Sequence, residues 1–142
     1  MALEDVVHVL RKVHKALRRR GVLLDVQPVP GHPWVEVWRN GVRTRLGHLD
    51  DTMGISMIKA ARSRLAIVER ERLFTVRGRR FFDWRVHCSG VEDWFRRREE
   101  HGSTSLIPPA LLRRIRREMR FAGTTLVLGE RIRATTMTKT IG

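Results

Sequence analysis

Residues 3–28 are LEDVVHVLRKVHKALRRRGVLLDVQP. Leu3, Val6, Val7, Leu10, Val13 and Leu17 recur at three- and four-residue steps, which predicts one apolar stripe on a helix over residues 3–19. Arg11, Lys12, Lys15, Arg18 and Arg19 fall mostly off the stripe. Cations also gather toward the C-terminal end, where the helix dipole favours them. Gly21 is the stop signal. Val22, Leu23, Leu24 and Val26 then form a nearly continuous apolar run ended by Pro28. Such a run predicts a strand buried on both faces, as in a parallel sheet. Helix, glycine and buried strand in that order predict an α/β fold.

Downstream, Pro28, Pro30, Gly31 and Pro33 impose an irregular loop. WVEVWRNGVRTRLG, residues 34–47, predicts a β-hairpin: Trp34 to Arg39 alternate, and Asn40-Gly41 is the preferred pair for a two-residue type I′ turn. The return strand, Val42 to Leu46, is polar on one face and is expected to lie partly exposed. Residues 55–72 predict a second helix with Ile55, Ile58, Ala61, Leu65 and Val68 on one face. FTVRGRRFFDWRVHC, residues 74–88, predicts a strand with Phe82, Trp84, Val86 and Cys88 alternating against Asp83, Arg85 and His87. Ser89 and Glu92 fit a capping box opening a short helix through Arg98 that buries Val91, Trp94 and Phe95. Pro108-Pro109 opens another helix, with Leu111, Leu112, Ile115 and Met119 on its apolar face. TTLVLGERIRATTMT, residues 124–138, closes the chain in β-rich residue types. No repeat or linker interrupts the pattern, which predicts a single domain over residues 1–142.

At 142 residues and 42% hydrophobic content, one packed core is within reach. No apolar stretch approaches the ~18 residues of a membrane span. The N-terminus mixes acids and bases instead of showing the basic-then-apolar layout of a secretory signal. The expectation is a soluble, cytoplasmic protein with no membrane contact. A single cysteine excludes an internal disulfide framework. The 29 basic residues outnumber the 15 acidic ones, giving +14, and only four of the bases are lysines. Such a charge reads either as an arginine-heavy compositional bias or as attraction to polyanions.

Residues 3–28 resemble the stretch of class I S-adenosylmethionine-dependent methyltransferases that follows the fourth strand. There a helix ends in a leucine-arginine-proline-glycine-glycine turn and runs into the fifth strand; here the turn is Leu17-Arg18-Arg19-Arg20-Gly21, with arginines at 19 and 20 in place of the proline and first glycine. The later order of helix, strand, short helices and final strand is similar to that family's C-terminal part, where the last two strands form an antiparallel hairpin at the sheet edge. The resemblance implies a partial Rossmann-like methyltransferase sheet, its C-terminal half, with an inserted β-hairpin and helices. The family binds its cofactor with a glycine-rich loop after strand one and an acid ending strand two, because close backbone approach to a ligand needs glycine. No G-x-G-x-G pattern follows any strand candidate; Gly41, Gly47 and Gly54 stand too far apart. The resemblance therefore implies a fragment or accessory subunit that binds no cofactor alone. S-adenosylmethionine and methyl transfer are expected only when an N-terminal half is supplied. Met1 reads in that light as an internal methionine of a longer or frameshifted reading frame.

A half-sheet presents unpaired N–H and C=O groups along one edge, and such edges invite pairing. The expectation is a homodimer or a partner chain completing the sheet, with Leu24, Val26 and Gln27 near the seam. His32 and Trp34, in and beside the loop after the presumed fifth strand, are the candidate substrate-loop residues, since ligands in open α/β sheets sit beyond the carboxyl ends of strands. An exposed loop histidine and a core tryptophan are the blander readings. No two histidines have metal-ligand spacing, and no metal site is expected. Cys88 lacks an activating partner in sequence and reads as a buried structural thiol. The alternative function is a small basic nucleic-acid-binding module. It would contact polyanions through Arg113, Arg114, Arg116 and Arg117, residues that otherwise read as a solvated helix face.

Overall fold

The computed structural model describes residues 3–141, with the side chains of Leu3 and Glu4 outside that description. The readings placed on Met1 and on the Leu3 side chain lie outside the described residues. In chain order the elements are α1 (Leu3–Ala16), β1 (Val22–Pro28), β2 (Trp34–Arg39), β3 (Val42–His48), α2 (Thr52–Arg70), β4 (Phe74–Cys88), α3 (Val91–Glu100), α4 (Pro109–Glu118) and β5 (Thr125–Lys139). The fold is mixed α/β. Its strands run β1-β5-β2-β3, with β4 also paired to β5. Two compact units divide the chain: Met1–Pro30, Ser56–Phe82 and Ile132–Gly142 make the first, Gly31–Ile55 and Asp83–Arg131 the second.

In the first unit the predicted stripe is present. Val7, Leu10, Val13 and Leu17 pack with Leu23, Leu73 and Val76 around Val68, Phe74 and Met137. The helix ends at Ala16, three residues before the expected boundary. Arg20 then takes a left-handed φ of 63°, and the Gly21 N–H reaches the Arg18 carbonyl at 2.8 Å. A Cβ on Gly21 would stand 2.9 Å from that carbonyl oxygen, so the tight turn needs glycine there.

The strand that follows corrects the sequence reading. β1 pairs antiparallel with β5, from Val22 opposite Thr138 to Pro28 opposite Ile132. Leu23 and Asp25 turn inward, while Val22, Leu24 and Val26 remain 59%, 59% and 51% exposed. A continuous apolar run looks the same in sequence whether both faces are covered or one apolar row faces water. Here it is the second case, and the sheet is antiparallel where a parallel one was expected.

In the second unit the hairpin forms as read. Asn40 and Gly41 take φ of 50° and 75°, the positive values a type I′ turn requires. Val35 pairs with Gly47 but Glu36 pairs with Arg45, which leaves Leu46 as the extra residue of a β-bulge. Leu46 is buried, and its carbonyl accepts from Arg114 Nη1 at 2.6 Å. β2 also pairs with residues 125–129 of β5. The core gathers Val35, Val37, Leu126, Cys88, Trp94 and Ile115, among others. Cys88 is buried as expected, and burial pushes its thiol pKa up.

Two further readings change. No Ser89–Glu92 capping box forms at α3. Instead Asp93 reaches back and accepts from the Ser89 N–H at 3.0 Å, because its carboxylate sits at the third helical position, where a side chain returns most readily to the preceding backbone. And Phe82 and Trp84 are exposed, while Val86 and Cys88 farther along β4 turn into the core. Alternation specified which residues share a face but not how far along the strand that face is covered. Among the described residues, no helix is long and apolar enough to cross a membrane.

Candidate functional site

The second unit contains a cleft of about 590 Å³, within the range typical of small-molecule sites. Trp84 and Val86 of β4 form one wall; Leu128, Gly129 and Glu130 of β5 lie beside them. Trp94, Arg97 and Arg98 of α3 supply the facing side, and His101 and Ser103 follow α3 at the rim. The local sequence accounts for the walls. β4 carries its tryptophan past the point where the core ends, and Gly129 keeps β5 narrow.

The narrowing has a specific cause. Gly129 is paired with Trp34, and the Trp34 indole occupies the space a Cβ at 129 would need. Trp34 is thereby 7% exposed and belongs to the core layer under β5.

The charged groups of the cleft fall into two kinds. Arg97 and Arg98 are committed within the unit. Arg97 Nε donates to Asp93 Oδ1 at 3.2 Å. Arg98 donates to the Ser105 Oγ at 2.9 Å and to the Ser105 carbonyl, and its guanidinium stands 5.6 Å from the Trp94 ring centre. Burial lowers the Arg98 pKa, and Asp51 partly offsets this. Asp93 is held well below the ordinary carboxylate range by the Ser89 N–H, then Arg97 and Arg96. Glu130 behaves oppositely: burial, and then the negative charge of Asp51, raise its pKa. A carboxyl raised by burial in an apolar cleft is suited to exchanging a proton with a bound group or to receiving a hydrogen-bond donor.

The sequence-predicted residues do not meet in this cleft. His32 is exposed, and its Nδ1 accepts from the Asp51 N–H at 3.0 Å. It lines a separate shallow depression with His48, Asp50 and Thr52. Trp34 is the first residue of β2 and not part of the loop. Of the α4 arginines, Arg114 is tied to Leu46, and Arg117 Nη2 lies 3.5 Å from Glu118 Oε1; Arg113 and Arg116 are exposed. Trp84, His101 and Glu130 were missed as site residues. The available signal was Glu130 itself, a lone acid after Gly129 in the apolar run Leu126-Val127-Leu128. No family model, no curated protein and no solved structure matches this chain.

Proposed function

We propose that this chain is a methyltransferase-like C-terminal half, inactive in methyl transfer by itself, whose sheet is extended along β1 by another chain. The single observation supporting it is the contrast between the two ends of the strand order. β3, at one end, is a protected edge: Arg43 and Arg45 stand on it, with guanidinium carbons 4.4 and 4.6 Å from the Trp38 and Trp34 ring centres. Charged side chains of this kind are how natural edges resist pairing. β1, at the other end, has no charge on its exposed row of Val22, Leu24 and Val26 and no bulge; its one charge, Asp25, turns inward beside Arg133. The pairing of the last two strands, β4 with β5, fits the family's C-terminal hairpin. In the family reading the cofactor half pairs at β1; without it, a second copy takes the same edge. Two copies related by a two-fold axis pair Leu24 with the partner's Leu24 and Val22 with the partner's Val26, a self-complementary apolar row.

Size-exclusion chromatography with light scattering tests this. The native chain is expected to run as a dimer at micromolar concentration. Leu24→Lys, which puts two ammonium groups face to face across the axis, is expected to run as a monomer with an unchanged far-ultraviolet spectrum. A monomeric native chain, or a Leu24→Lys dimer, would overturn the proposal.

A further inference from the structure

Charge is distributed unevenly between the two units. The first holds 16 of the 29 basic residues but only 5 of the 15 acidic ones, a net +11, against +3 for the second. Arginine itself is evenly spread, 12 in the first unit and 13 in the second. The difference comes from the four lysines, all in the first unit, and from its scarcity of acids, which a preference for arginine does not explain. Among the described residues, Glu71 pairs with Arg11, Glu69 with Arg79 and Asp25 with Arg133.

Three of the unit's cations line one recess of about 540 Å³: Arg20, Arg77 and Lys139, together with Thr75, Thr138, Thr140 and Ile141. Among the described residues no carboxylate lines it. The cations are held by neutral groups. Arg77 Nε donates to Thr138 Oγ1 at 2.9 Å, and Lys139 Nζ donates to the Leu17 carbonyl at 2.9 Å. Thr75 and Thr140 share a hydrogen bond at 3.0 Å between their hydroxyls. These bonds fix the cations without cancelling their charge. Among the described residues none of the three forms an ion pair. Arg20 is brought to the rim by a left-handed backbone, φ 63°, that a non-glycine residue adopts only under constraint.

Three positive charges, two of them fixed by hydrogen bonds, and two hydroxyl donors left after the Thr75–Thr140 bond match a phosphate group. The runs Arg18-Arg19-Arg20 and Arg77 to Arg80 supply further cations on either side in sequence. We infer that this recess is a phosphate-binding site for the backbone of a nucleic acid. A repeating phosphate chain, unlike a single small anion, makes use of the unit's whole +11. This moves the polyanion contacts away from the α4 arginines, where the sequence had suggested them. The inference does not rest on the methyltransferase-like reading.

Fluorescence polarisation with a labelled 20-nucleotide single strand and a labelled duplex, from about 20 to 200 mM salt, tests it. Each phosphate contact contributes about −0.9 to the log–log salt slope on duplex and about −0.7 on a single strand. The native chain is expected to bind at least one of the two at low salt. The triple variant Arg20→Asn, Arg77→Gln, Lys139→Gln is expected to lose about tenfold or more in affinity and to flatten the slope by about 2 to 3. Asparagine at 20 keeps the left-handed backbone accessible. A control removing the same charge elsewhere, Arg113→Gln, Arg116→Gln, Arg117→Gln, is expected to stay within about threefold of the native chain, as befits the loss of long-range attraction alone. Should the triple variant misfold by circular dichroism, Arg20→Asn alone, at an exposed turn residue, is expected to weaken binding about threefold where the matched one-charge control Arg113→Gln leaves it unchanged, and equal effects of the two would overturn the inference. Absence of binding at low salt, equal losses in variant and control, or sedimentation with phosphatidylserine vesicles but with neither oligonucleotide would overturn the inference.

Discussion

At Gly129 the glycine is required by the space a neighbour occupies. The residue is fully extended within β5, where any side chain fits the backbone, but the Trp34 indole fills its Cβ position. Gly129→Ala is therefore expected to destabilise the fold by about 1–3 kcal/mol, the ordinary cost of overpacking. Urea denaturation followed by tryptophan fluorescence measures it, and an unchanged midpoint would contradict the packing described. Its neighbour Glu130 makes a pH-dependent prediction. The ordinary carboxyl value is 4.5, and burial and then Asp51 raise it in the fold. The folded chain thus keeps this proton to a higher pH than the unfolded chain does. Its destabilising effect is absent below the ordinary value and grows as pH rises through the raised one. Glu130→Gln is expected to melt above the native chain at pH 7 and level with it below pH 4. Equal melting temperatures at both would show that the carboxyl is not held in a desolvated site.

Elements were legible wherever periodicity and turn chemistry agreed. The α1 stripe, the Asn40-Gly41 hairpin, the span of β4 and the Pro109 start of α4 were all readable from residue types. What failed were features that depend on what lies on the far side of an element. β1 read as doubly buried because its apolar run says nothing of the layer above it, and Trp84, which alternates in register with Val86 and Cys88, is exposed because alternation continues past the point where the core stops. The capping box failed for a narrower reason. Ser89, Glu92 and Asp93 are all cap-competent, and a one-residue shift of the helix start to Gly90 decided which carboxylate reached the backbone. The cleft was invisible for the same reason as Trp84: its lining comes from β4, α3 and β5, far apart in sequence. His32 and Trp34 were chosen because they sit just past a strand end, a rule suited to parallel sheets and not to the antiparallel pairing at β1.

For the molecule as a whole, the methyltransferase-like reading demands a division of labour that cofactor binding can test. S-adenosylmethionine carries an adenine, a ribose with two hydroxyls, a sulfonium and an amino-acid end. Holding them in the family manner takes a close glycine turn and an acid placed after the second strand. Three glycines in or beside strands are already used otherwise: Gly41 turns a two-residue hairpin, Gly47 stands at the bulge, and Gly129 packs on Trp34. The cleft offers Glu130 but no glycine loop facing it, and the recess of the first unit offers cations, which repel a sulfonium. Isothermal titration of the isolated chain with S-adenosylmethionine is therefore expected to show nothing tighter than about 1 mM, equivalent to about −4 kcal/mol. Because the measurement reads binding and not turnover, it is independent of whether a methyl acceptor is present, and it applies equally to monomer and dimer. A micromolar dissociation constant would mean that the chain builds a cofactor site of its own. The reading of β1 as the edge awaiting a cofactor half would then fail, even if the chain proved dimeric.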